Sequence, residues 1–135
     1  MAKEGKTARE IATACEELAE RVDASFVIDN LEFLYKGGRC SALAALGANL
    51  LQLKPCIVVK NGKMGVVKKY RGNYAKCLSN YVKDRLDGRE DLTGELLFLT
   101  YTTVSDDCRQ AVLDGINQYG HFEEMVEGCS LQRWR

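Results

Sequence analysis

Few residues in this 135-residue chain could do chemistry, and their spacing argues against most of it. The one histidine, His121, directly follows a glycine and has no evident partner, so it reads as a surface or capping residue rather than a base. Six cysteines (Cys15, Cys40, Cys56, Cys77, Cys108 and Cys129) are scattered, with no CxxC pair. A single histidine cannot complete zinc-ligand spacing with them or build a convincing Cys–His nucleophile. They read as reduced thiols, most of them small core residues of a cytoplasmic protein. Asp106-Asp107 stands at a predicted helix start, where the helix dipole accounts for it. There is no GxGxxG and no phosphate loop, and Gly37-Gly38-Arg39 is too short to cradle a phosphate alone. The expected catalytic set, metal set and cofactor are therefore none.

Binding is the better-supported class. From Phe33 to Lys83 there is no Asp or Glu, but there are ten Lys and Arg. Formal net charge over the chain is zero, so the flanks carry the balancing acids. Such a block projects positive potential toward an anionic partner unless the acidic flanks cover it in space. Arg39 and Arg71 stand out because each neighbours glycine, which leaves the guanidinium fork uncrowded for carboxylate or phosphate. An acidic protein surface or a phosphorylated ligand fits at least as well as nucleic acid, because the chain is not basic overall and lacks a recognition-helix pattern.

The elements that position these residues follow from hydrophobic spacing. Length and apolar content fit one soluble domain, with no run near the ~20 residues that span a bilayer and no signal peptide in MAKEGKTARE. Thr7 and Glu10 form a capping box ahead of a helix whose stripe is Ile11, Ala14, Cys15, Leu18, Ala19 and Val22, expected to pack on a sheet. Ser25–Ile28 reads as a strand and Leu31–Tyr35 as a short helix stopped by Gly37 and Gly38. Ser41–Leu53 reads as a helix apolar nearly all round, which must be covered on more than one side. Pro55 marks its exit. Cys56–Val59 and Met64–Tyr70 read as a hairpin about Asn61-Gly62. A helix over Asn73–Leu86, a central strand over Leu96–Thr103, a helix over Asp106–Tyr119 with Ser105 as N-cap and Gly120 as C′ glycine, and a last strand over Phe122–Val126 complete the chain. The predicted fold class is α/β, a mixed sheet covered by helices.

Over FVIDNLEFLYKGGRCSALAALGANLLQLKPCIVVKNGKMGVVKKYRG the sequence resembles the DegV family of bacterial fatty-acid-binding proteins. The matching features are Leu31–Leu34, Lys36–Arg39, Ser41, Lys54-Pro55, Asn61-Gly62 and Arg71-Gly72, with a weaker match from Thr7 to Val126. The resemblance implies a carrier that holds a long-chain fatty acid and presents its carboxylate to a fatty acid kinase catalytic subunit, with no catalysis of its own. It implies that Leu43, Leu46, Leu50, Leu53 and Ile57 contact the acyl chain. It also implies that Arg39 and Arg71 meet the kinase. Family members have two α/β domains, and the likeness covers only the C-terminal one. Neither the N-terminal domain nor the HxGPG segment is present, and His121 comes too early to be the motif's histidine. A truncated or partial form is the expectation, paired with the missing N-terminal domain or with a second copy as a homodimer. An oligomerising domain without ligand is the alternative, and nucleic-acid binding by residues 33–83 is a weaker one.

Overall fold

The computed structural model describes residues 1–30 and 53–129. The predicted helices over Leu31–Tyr35 and Ser41–Leu53 therefore lie outside the described residues, except for Leu53 itself. After a 3-10 turn at Ala2–Glu4 comes helix α1, Ala8–Ala19. Its predicted cap forms: the Thr7 N–H donates to Glu10 Oε2 at 2.8 Å, and the Glu10 N–H donates to Thr7 Oγ1 at 3.4 Å. The expected packing of its stripe does not follow, since α1 buries no side chain among the described residues. Spacing fixes which side chains line up on a helix, but not which surface receives them. Arg21, just beyond the helix, reaches Glu95 at 3.5 Å.

Strands β1 (Ala24–Val27), β2 (Leu53–Lys60) and β3 (Lys63–Arg71) form an antiparallel sheet in the order β1-β2-β3. The Asn61-Gly62 turn has positive φ at both residues, 52° and 70°, which matches the right-handed twist of the strands it joins. The register slips between Cys56 and Ile57, leaving Val67 as the extra residue of a bulge on β3.

Two expectations are corrected here. Leu53 opens β2 instead of ending a helix, and Pro55 lies inside the strand instead of marking a helix exit. Proline is tolerated because of where its missing N–H falls. The Pro55 carbonyl accepts from the Ile28 N–H at 3.2 Å, so the missing donor faces the β1 side, one residue beyond the last β1 partner of β2.

Helix α2, Tyr74–Leu86, is capped by Asn73, whose side chain accepts from the Lys76 N–H at 3.3 Å. It lies on one face of this sheet. Cys56, Tyr70 and Cys77 make a buried cluster there, with Val27, Tyr74 and Tyr81 packed against it. Every tyrosine hydroxyl in that layer has a partner. Tyr81 bonds Ser25 Oγ at 2.8 Å and Ser25 O at 3.0 Å, Tyr74 donates to Val27 O at 3.3 Å, and Tyr70 donates to Asp84 at 2.7 Å. Burial, with Asp29 nearby, pushes the Tyr74 phenol up to about 12. Among the described cysteines, Cys56, Cys77 and Cys108 are buried free thiols and Cys15 is an exposed one. Burial raises the Cys56 and Cys77 thiols above their ordinary range.

Strand β4 (Leu96–Tyr101), helix α3 (Asp106–Tyr119) and strand β5 (Glu124–Cys129) form a parallel β-α-β unit. Helix α3 has the predicted bounds and cap, with Ser105 Oγ accepting from the Cys108 N–H at 3.4 Å. A bidentate pair from Arg109 to Glu127, 2.6 Å on both arms, ties α3 to β5, and Tyr101 of β4 donates to the same carboxylate at 3.0 Å. The expected central strand pairs only β5 among the described residues. The last strand starts two residues later than its hydrophobic residues suggest and runs on to Cys129. Gly120 caps α3 in an extended conformation, not a left-handed one. Glycine is needed there for space, since a Cβ would sit 2.6 Å from the Phe122 ring.

An ion network joins the approach to β1 to the end of α2. Asp23 takes both oxygens to Arg85, at 2.5 and 2.6 Å, and one to Arg89 at 2.9 Å; Arg89 also pairs with Asp91. The Arg89 hydrogen bond holds the Asp91 carboxyl below its ordinary range.

Candidate functional site

Strand alternation gives the β1–β3 sheet two faces. Ser25, Val27, Cys56 and Tyr70 turn toward α2, as their contacts show. The opposite face then carries Phe26 on β1, Leu53, Pro55, Ile57 and Val59 on β2, and Met64 and Val66 on β3. The register aligns Phe26 and Val66 with Ile57, and Met64 with Val59. Its centre, Pro55 and Ile57, is buried, whereas Phe26 and Met64 at its ends are 38% and 48% exposed.

Cations rim this apolar face on the β3 side. Arg71 is the register partner of Leu53, and Lys69 is the partner of Pro55. Both are exposed, and neither makes an ion pair among the described residues. Two other lysines of the hairpin are engaged. Lys54 meets Asp29 at 2.5 Å and lies over the Tyr74 ring, and Lys68 meets Asp84 at 2.5 Å. Asp84 sits below the usual aspartate range: burial opposes its charge, but the hydrogen bonds from Lys68 and Tyr70 outweigh that.

Three of the sequence-predicted site residues, Leu53, Ile57 and Arg71, thus share one face of one sheet. Leu43, Leu46, Leu50 and Arg39 lie outside the described residues. Phe26, Val59, Met64 and Lys69 were missed. Val59 follows from period two once Ile57 is placed, but Phe26 is brought in by pairing with Ile57 across 30 intervening residues, which no local pattern encodes. His121 is exposed at its predicted surface position. Among the described residues, no group of three or more His, Cys, Asp or Glu is placed to hold a metal ion, and no helix is long and apolar enough to cross a membrane. A second apolar surface is open on β4 and β5, where Leu96, Phe98 and Val126 are exposed.

An apolar floor with free cations along one side can bury a hydrocarbon or an apolar protein surface and attract an anion beside it. The family model described as "Uncharacterised protein, DegV family" matches residues 1–127. The chain belongs to the DegV family. A DegV domain-containing protein of Clostridium acetobutylicum is 32% identical over 133 residues, covering 94% of this chain and 45% of the relative. The Thermotoga maritima fatty acid-binding protein is 32% identical over 75 residues, covering 54% of this chain and 26% of that protein. Among solved structures, a DegV family protein from Eubacterium eligens loaded with heptadecanoic acid superposes with a TM-score of 0.75 at 21% identity, over 96% of this chain and 46% of the other. At that identity the likeness shows the DegV fold. This DegV chain spans about half the length of such relatives.

Proposed function

We propose that this DegV chain binds a long-chain fatty acid and presents its carboxylate to a fatty acid kinase subunit, taking part in no catalysis of its own and needing no cofactor. The observation that carries the reading is the face of Phe26, Leu53 and Ile57 flanked by Arg71, on a fold whose solved neighbour holds heptadecanoic acid. The acyl chain packs on Leu53 and Ile57, with Leu43, Leu46 and Leu50 completing the lining. Each methylene buried contributes about 0.8 kcal/mol. Arg39 and Arg71 form the contact with the kinase. An N-terminal DegV domain supplies the other wall, and the setting is cytoplasmic. Native mass spectrometry after incubation with heptadecanoic acid tests this. One acyl adduct per chain, weakened by Ile57→Ala, is the expected result. A chain that stays empty at excess ligand refutes fatty acid binding by this chain.

A second reading, self-association, is favoured by the open surface at Leu96, Phe98 and Val126, because contiguous exposed apolar area drives association. Sedimentation at rising concentration should show a homodimer. A monomer throughout rejects this reading.

A further inference from the structure

Lys54 sits at the start of β2 between Leu53 and Pro55, two residues of the apolar face, but takes no part in that face itself. Strand alternation turns it to the α2 side, where its Nζ lies 5.7 Å from the centre of the Tyr74 ring. Its side chain is 16% exposed, against 53% for Lys68, the other ion-paired lysine of the hairpin. The Nζ meets Asp29 Oδ1 at 2.5 Å and donates to the Asp29 carbonyl at 2.8 Å. Tyr74 in turn donates to the Val27 carbonyl at 3.3 Å, so the cation, the ring and the end of β1 form one unit.

This unit stands where the β1–β2 ladder stops. The last register pair is Val27 with Cys56. Pro55 has no N–H to continue it and offers only its carbonyl, to the Ile28 N–H at 3.2 Å. Past that point the Lys54 ammonium takes over, bridging to the chain just after β1. Leu53, one residue further out, is the register partner of Arg71 on β3. The corner that carries Leu53 and Arg71 on the apolar face is thus tied to β1, the strand of Phe26, from the back of the sheet.

We infer that Lys54 is a positioning residue for the acyl site: held by Asp29 and the Tyr74 ring, it sets the Leu53–Arg71 corner against Phe26 without touching the ligand. This role rests on the fatty acid reading above and adds to it a residue from the opposite face of the sheet. An acyl chain binds through many weak contacts, so its affinity follows the alignment of the side chains that line it. Lys68 is the internal control. It meets Asp84 at 2.5 Å on the same side of the sheet, but it lies on the edge strand opposite Cys56, within the β2–β3 ladder, and ties β3 to α2.

Native mass spectrometry of the full chain across a heptadecanoic acid titration tests this. Lys54→Met keeps the apolar stem and removes the charge, and it should load roughly tenfold more weakly than wild type, within the range by which residues outside a site alter its affinity. Lys54→Arg should recover most of the loss. Asp29→Ala added to Lys54→Met should cost nothing further, because both remove the same contact. Lys68→Met should load as wild type does. Both methionine variants should shift thermal unfolding by similar small amounts, since each deletes one ion pair with a solvent-accessible partner. Equal loading by wild type and Lys54→Met, or equal losses in Lys54→Met and Lys68→Met, would overturn the positioning role and leave acyl binding standing. A wild type that stays empty would remove the fatty acid reading and this role with it.

Discussion

Tyr70→Ala should lower the free energy of unfolding by about 3–5 kcal/mol, the range for deleting a large buried aromatic side chain. Tyr70 is 6% exposed and packs with Cys56 and Cys77, the least accessible side chains of that layer. Its ring seals the interface between the sheet and α2, and its hydroxyl donates to Asp84 of α2 at 2.7 Å. Tyr70→Phe keeps the ring and loses only that bond, so it should cost about 1 kcal/mol. Urea titration of both variants separates packing from hydrogen bonding. The same pair of residues also shapes the acid limb of stability. A carboxylate whose folded-state pKa is lowered stabilises the fold above its unfolded value, and that contribution disappears as pH falls through the folded value. Asp84 is such a group, with an ordinary value of 3.8, so wild-type stability should decline below that pH. The decline should be shallower in Tyr70→Phe. A Tyr70→Ala protein as stable as wild type would mean that the sheet and α2 are not held together by this layer.

Gly115→Leu should be the most damaging change between the two helices, at about 1–3 kcal/mol for overpacking. Glycine in mid-helix is itself unfavourable by roughly 0.5–1 kcal/mol relative to alanine, so its presence within α3 needs a reason. The reason is Val82 of α2. A Cβ on Gly115 would sit 2.9 Å from Val82 Cγ1 and 3.1 Å from Val82 Cβ. Valine is stiff at χ1 and cannot swing aside. Leucine therefore forces α2 and α3 apart and strips cover from Ile116 and Leu78. Val82→Ala opens space at the same spot, so the double variant should recover part of the loss, a coupling that a double-mutant cycle measures. Denaturation of the four proteins gives the answer, and purely additive effects would show that the helices do not meet there.

Local chemistry in the sequence specified much of the described fold. The Thr7–Glu10 box, the Ser105 cap and the Asn61-Gly62 turn all form as read, because each depends on residues within three positions of one another. Non-local choices were less legible. Nothing near Pro55 shows that its missing donor falls just past the end of β1, and so a strand was read as a helix exit. Nothing in the stripe of α1 says that it stays open among the described residues. The site followed the same division. Arg71 beside its glycine and Ile57 in its β-rich run could be picked from type and neighbours, but their meeting with Leu53 on one face depends on the hairpin register. Phe26 was hidden for the same reason. The family pattern added a ligand class that charge and periodicity could not supply.

The central claim is that the face of the β1–β3 sheet turned away from α2 receives an acyl chain. Nuclear Overhauser contacts between a carbon-13-labelled heptadecanoic acid and the protein test it most directly. Cross-peaks from the acyl methylenes to Phe26, Leu53 and Ile57 are the predicted result. Cross-peaks confined to Val82, Leu78 and Ile116 on the helical layer, with none to that face, would contradict it.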